Sequence, residues 1–159
     1  MKFIITLFLF INIQSFASPI LDQIRSKFPL IENKEEAENF IQKLENRKDV
    51  SSQGYLAAMY FFKSKYVKFP TTKYKYFKKG KNLLDLLIKK NPNVVELHYI
   101  RFIFQHQIPS FLNYNEDKIE DFKAIYKADF IKNRELKILL KLDKLSISHK
   151  QKINELLNQ

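Results

Sequence analysis

Apolar residues recur along most of this chain at intervals of three and four, the period that lines one face of an α-helix. Ala37, Phe40, Ile41 and Leu44 follow it behind Asn33 and Glu36, a capping-box spacing, so the pattern predicts a first amphipathic helix over 34–48. A second is expected over 52–66, capped by Ser51 or Ser52, with Leu56, Met59, Tyr60 and Phe62 turned inward. Lys68-Phe69-Pro70-Thr71 closes it, because the residue before a proline avoids the helical region. Thr72 then caps a helix over 73–90 that buries Tyr76, Phe77, Gly80, Leu83, Leu84, Leu87 and Ile88.

Asn91-Pro92-Asn93 stops that helix, and Asn93 with Glu96 repeats the capping-box spacing at the head of a helix over 94–107. A loop through Tyr114 leads to helices over 116–130, 134–142 and 150–157, the last capped by Ser148. Short links between helices imply antiparallel neighbours, so the expected fold is all-α, a stack of antiparallel helical hairpins.

Gly80, Leu84, Leu87 and Pro92, followed by Asn93, Val94 and Glu96, resemble the second helix and exit turn of a tetratricopeptide repeat, a helical-hairpin unit of about 34 residues. Leu87 departs from that pattern, where a small residue is usual, as does the long linker around Pro70. No second copy fits at the expected offset, so the resemblance is to a tetratricopeptide-like middle of the chain. A wider resemblance rests on Lys73-Tyr74-Lys75-Tyr76-Phe77-Lys78-Lys79-Gly80, on Glu96-Leu97-His98-Tyr99-Ile100-Arg101-Phe102 and on Pro109-Ser110-Phe111-Leu112-Asn113-Tyr114-Asn115. These runs are similar to those of a group of small exported bacterial helical proteins. That resemblance implies the fold and the compartment and carries no activity.

The amino terminus breaks the helical period. Lys2 precedes an apolar run over 3–13, and Ser15-Phe16-Ala17 supplies a small-residue cleavage triplet, the order of a secretory signal peptide. Spanning a bilayer takes about 20 apolar residues, and Asn12, Gln14 and Ser15 interrupt this run too early. Residues 1–17 are therefore expected to be removed, leaving a single domain over 18–159, periplasmic or secreted and without a transmembrane helix. The chain has no cysteine, so export brings no disulfide, and thiol chemistry and Cys-based metal sites are excluded. With glycine only at 54 and 80, a Gly-rich phosphate loop is excluded as well.

Charge adds a direction to this picture. The formal net charge is +11, and residues 61–90 hold ten lysines against the single acid Asp85. Lys63, Lys65, Lys68, Lys73, Lys75, Lys78, Lys79 and Lys81 are the candidate basic face, interleaved with nine aromatics from Tyr55 to Phe77. Such mixtures bind nucleic acid or membrane surfaces, but Tyr60, Phe62, Tyr76 and Phe77 are also needed as core, which leaves the lysines on a solvated face. Export argues against nucleic acid and leaves anionic lipid, another polyanion or an acidic protein as partner.

The segment 94–107 is apolar around most of its circumference and should lie in the middle of the fold, yet His98, Arg101 and Gln105 share one stripe of it. A buried arginine needs an acceptor. Either it binds a structural carboxylate or the carbonyls of the 109–114 loop, or the three residues form a groove anchor for an anionic group such as a peptide carboxylate. Carboxylate pairs such as Glu120 and Asp121 are read as the solvated face of their helix. His98, His106 and His149 lack metal-ligand spacing, and no Gly-flanked serine nucleophile occurs. No metal, cofactor or catalytic residue is implied. The sequence reading is a non-enzymatic protein- or peptide-binding scaffold of the periplasm or cell exterior. Its alternative is a peripheral envelope protein that holds anionic lipid on the lysine-rich face.

Overall fold

The structure is a computed structural model that describes residues 18–128, 133–142 and 145–158; the segment read as a signal peptide lies outside them. All regular structure among these residues is helical: α1 (Pro19–Lys27), α2 (Lys34–Leu44), α3 (Val50–Tyr66), α4 (Pro70–Lys90), α5 (Val95–Gln107), a 3-10 turn (Ser110–Leu112), α6 (Lys118–Tyr126), α7 (Asn133–Leu140) and α8 (Ile147–Leu157). None is both long and apolar enough to cross a membrane.

A helix stands at each expected place, but α2 stops at Leu44, short of 48, and α6 covers Lys118–Tyr126 of the expected 116–130, of which 129 and 130 lie outside the described residues; the sequence reading lacks α1. Pro19 starts α1, where its missing N–H is no loss, and Leu21, Ile24 and Phe28 give it a buried face. Asn33 caps α2 as expected, accepting from the Glu36 N–H at 2.8 Å. The cap of α3 is Asp49, not a serine: its carboxylate accepts from the Ser52 N–H at 2.9 Å, so the helix begins two residues early. Pro70 opens α4 in place of Thr72 as cap, which shortens the α3–α4 link to Val67, Lys68 and Phe69. Ser146, not Ser148, caps α8.

Two helices form the interior. In α3 every residue from Gly54 to Phe62 is buried, and in α5 every residue from Glu96 to His106. Helix α3 packs mainly on α4 and α2, with α5 behind it; α6 covers the far side of α5, and α8 adjoins α6 and α7. Along α3 and α4 the partners step in opposite directions, with Ala57 beside Gly80, Phe61 on Phe77 and the Ser64 hydroxyl on the Lys73 carbonyl, so this pair is antiparallel. Gly80 sets their approach: a Cβ there would lie 2.9 Å from the Ala57 carbonyl oxygen and 3.3 Å from the Phe61 ring. Phe28 fills the space where α1, α3 and α5 meet, edge-on to Tyr55, Phe62 and Tyr99.

Candidate functional site

Helix α5 aims His98 and Arg101 at one carboxylate of α6. The Arg101 Nε and Nη2 atoms donate to Asp121 at 2.8 and 2.7 Å, and the His98 Nδ1 atom lies 2.7 Å from the same carboxylate. Nη1 of Arg101 faces Asp117 at 3.1 Å and Asp85 at 3.9 Å. Asp121 is fully buried, at 0 % exposure, which corrects its assignment to a solvated face: with Phe122 and Ile125 it forms the inward stripe of α6. The Nε2 atom of His98 lies 2.9 Å from the Pro92 carbonyl. Both neighbours of the ring are acceptors, so the imidazolium satisfies both, and the Asp121 bond raises the His98 pKa from its ordinary value.

Of the three groove-anchor candidates, the structure therefore joins two. Arg101 spends its donors on acids of its own chain, the structural-carboxylate reading of that residue. Gln105 is not part of the cluster: its amide oxygen and nitrogen are buried without a hydrogen-bond partner among the described residues. The region is a clamp holding α4, α5 and α6 together.

A second clamp sits at the start of α5. Glu96 does not cap its helix; Val94 occupies that position without a side-chain bond. The Glu96 carboxylate instead accepts from Arg25 at 2.7 and 2.9 Å, from Ser51 at 2.6 Å and from Tyr55 at 2.9 Å. Burial alone would push its pKa up, and these hydrogen bonds outweigh it and hold it below the usual carboxylate range. The partners stand 71, 45 and 41 residues away, beyond the reach of a local motif.

The lysine-rich stretch divides over two flanks of α4. On one flank Lys63 bonds Glu38 at 2.8 Å and sits 4.4 Å above the Tyr76 ring, and Lys79 sits 4.1 Å above Tyr60. These cations cover a half-buried tyrosine stack. On the other flank Lys81 donates to Asp85 at 2.7 Å, and Lys78 lies 5.8 Å from the Tyr74 ring. Lys65 lies 5.2 Å from the Tyr66 ring, and Lys73 donates to the Lys65 carbonyl at 3.4 Å. Lys68 and Lys75 are exposed.

The second flank borders a half-open cleft of about 400 Å³ between α4 and the 3-10 turn. Phe77 and Leu112 line it together with Tyr74 and Phe111, which are 54 % and 79 % exposed. Lys78, Lys81, Asn82 and Asn113 supply its polar groups. Sequence reasoning found the lysines and missed Phe111; the signal was an aromatic between Ser110 and Leu112 in a loop with no helical face to bury it.

The other two histidines face rings. His149 stacks on Phe122 at 4.0 Å between centroids, and His106 packs on Phe102 at 4.4 Å. Burial lowers both pKa values. Among the described residues no group of three or more His, Cys, Asp or Glu side chains gathers where a metal could be held. Comparison with known proteins finds no family model, no curated relative and no solved structure that matches this chain.

Proposed function

We propose that this chain is a non-enzymatic protein- or peptide-binding scaffold that works outside the cytoplasm, a tetratricopeptide-like stack of helical hairpins whose α4 surface meets an acidic partner. The observation that carries this reading is the exposure of Lys68, Lys73, Lys75, Lys78 and Lys79 on and just before α4 beside the uncovered rings of Phe69, Tyr74 and Phe111. Contiguous exposed apolar groups mark interaction sites, and aromatics are enriched at interface cores. Arg101 leaves the list of ligand anchors, because its donors are already held by Asp121 and Asp117.

The same surface supports one further reading, a peripheral protein that holds anionic lipid, since protruding aromatics beside lysines also suit a membrane interface. A single charge-reversal set tests both. Lys75→Glu, Lys78→Glu and Lys79→Glu together should abolish capture of acidic proteins from an envelope extract, while stability falls by no more than about 1 kcal/mol, the cost of losing the Lys79–Tyr60 contact. Capture that survives the triple substitution rejects the α4 surface. Salt-sensitive binding of the purified chain to vesicles of anionic phospholipid, with no protein captured, decides for the lipid reading.

A further inference from the structure

Building on that reading, we propose that the cleft between α4 and the 3-10 turn is the recognition site itself, and that it takes an acidic peptide segment anchored by one aromatic side chain.

Its size and make-up fit such an occupant. About 400 Å³ lies at the small end of the range in which proteins hold compact ligands. The apolar lining of Phe77 and Leu112, with Tyr74 and Phe111 beside it, offers ring faces and edges to an incoming ring. Asn82 and Asn113 place amide donors and acceptors where a peptide backbone would pass.

The cleft is also preformed. Its loop wall is pinned by backbone bonds from Leu112 to the Pro109 carbonyl at 3.1 Å and from Asn113 to the Ser110 carbonyl at 3.0 Å. Asn113 adopts φ 48°, a left-handed conformation that asparagine tolerates better than most residues. Tyr114 then anchors the turn: its ring packs on Phe61 and Phe77 and its hydroxyl donates to Asp85 at 3.1 Å. Phe111 makes no such contact and projects into solvent beside a wall that is already fixed. A ligand there binds without ordering the loop.

Charge selects the ligand. Asp85, the one acid between residues 61 and 90, is committed to Lys81 and Tyr114. Lys78 lines the cleft and is exposed, so it presents positive charge to whatever enters. Tyr74 and Phe111 are exposed, but they flank a concavity, the shape suited to a single inserted side chain. A second copy of the chain, itself strongly basic, would bring like charge against this rim.

The test uses the purified chain and a fluorescently labelled peptide, Glu-Asp-Phe-Glu-Asp, read by anisotropy. Replacing the peptide's Phe by Ala should weaken binding about tenfold, and so should Phe111→Ala in the protein, where an exposed ring leaves the melt unchanged. Lys78→Glu should weaken binding about tenfold, and Lys90→Glu, the same charge change at the far end of α4, less than twofold. Equal losses for Lys78→Glu and Lys90→Glu would overturn the cleft while leaving the α4 surface an acid-binding one. Indifference to both charge reversals would overturn the acidic-partner reading with it. Phe111→Ala that spares the peptide but abolishes binding to anionic vesicles, or that abolishes self-association, would assign the cleft to lipid or to a second copy and overturn the peptide.

Discussion

His98 and Arg101 near one end of α5, and Gln105 and His106 near the other, are all buried polar residues of one helix, and they meet opposite fates. The first pair converges on a fully buried carboxylate and ties α5 to α6 and α4. At the second end the Gln105 side-chain amide has no hydrogen-bond partner among the described residues, and His106 has a ring contact with Phe102 and a bond to that residue's carbonyl oxygen. Spacing along a helix thus says which side chains share a stripe, and the partner supplied by the neighbouring helix decides what the stripe does. One end is held by charge and the other by packed rings.

Removing the shared carboxylate should break this contrast most strongly. Asp121→Ala strands Arg101 and His98 in the interior, and breaking a buried pair by deleting one partner costs about 3–5 kcal/mol. Urea unfolding should show a loss of that size; a loss below about 1 kcal/mol would mean that water or Asp117 replaces Asp121. Adding Arg101→Met to that variant should recover much of the loss, because the orphaned charge is then gone. Glu96→Gln is the milder counterpart at the start of α5, expected to cost about 2 kcal/mol. Its main cation, Arg25, keeps 35 % of its side chain in water and rehydrates when the charge is lost.

Those two carboxylates mark the limit of what was legible in the sequence. The all-helical class and the burial of α5 follow from apolar period alone, because a helix buried all round has no polar face to write into the pattern. The need of Arg101 for an acceptor also follows, from the cost of an unpaired buried charge. Which acceptor, a carboxylate or the carbonyls of the 109–114 loop, does not. Asp121 sits beside Glu120 and reads as half of a solvated pair, and only the rotation of α6 turns it inward beside Phe122. Glu96 fits a capping box with Asn93, a local motif that a partner 71 residues away overrides. Helix α1 has two inward residues in nine, too short a stretch for the period to stand out, and it owes its place to Phe28, Arg25 and the packing of α3. Phe111 lies in a loop with no apolar period around it, so the pattern says nothing about whether its ring is covered.

The three histidines sharpen the contrast with opposite signs of pH dependence. His98 has a raised pKa, owing to its bond to Asp121, so its contribution to stability is fully present below the unfolded value of about 6.5 and is lost as pH rises through the folded value. His106 and His149 have lowered pKa values, chiefly from burial, with Lys118 and His149 adding to the effect at His106 and Lys152 at His149. Their contribution is present above about 6.5 and is lost as pH falls toward the folded values. Titration of the three ring C–H proton signals by NMR should give one midpoint above the ordinary value and two below it. His149→Phe should remove part of the stability loss on acidification. His98→Gln should leave that loss in place and flatten the decline at higher pH.

The smallest effect is the most specific test of the uncharged end. Gln105 contributes buried volume but no hydrogen bond, and a buried amide without a partner carries its desolvation cost with nothing in return. Gln105→Leu keeps most of the volume and removes that cost. It should leave stability unchanged or raise it by up to about 1 kcal/mol, whereas a polar residue that anchored a network would lose stability on the same exchange. The anisotropy assay with the acidic peptide should not change either, because Gln105 lies on the α5 stripe and not among the residues that line the α4 cleft. A clear loss of stability in Gln105→Leu would show that the amide has a water-mediated partner, and the two ends of α5 would then be alike in being held by polar bonds.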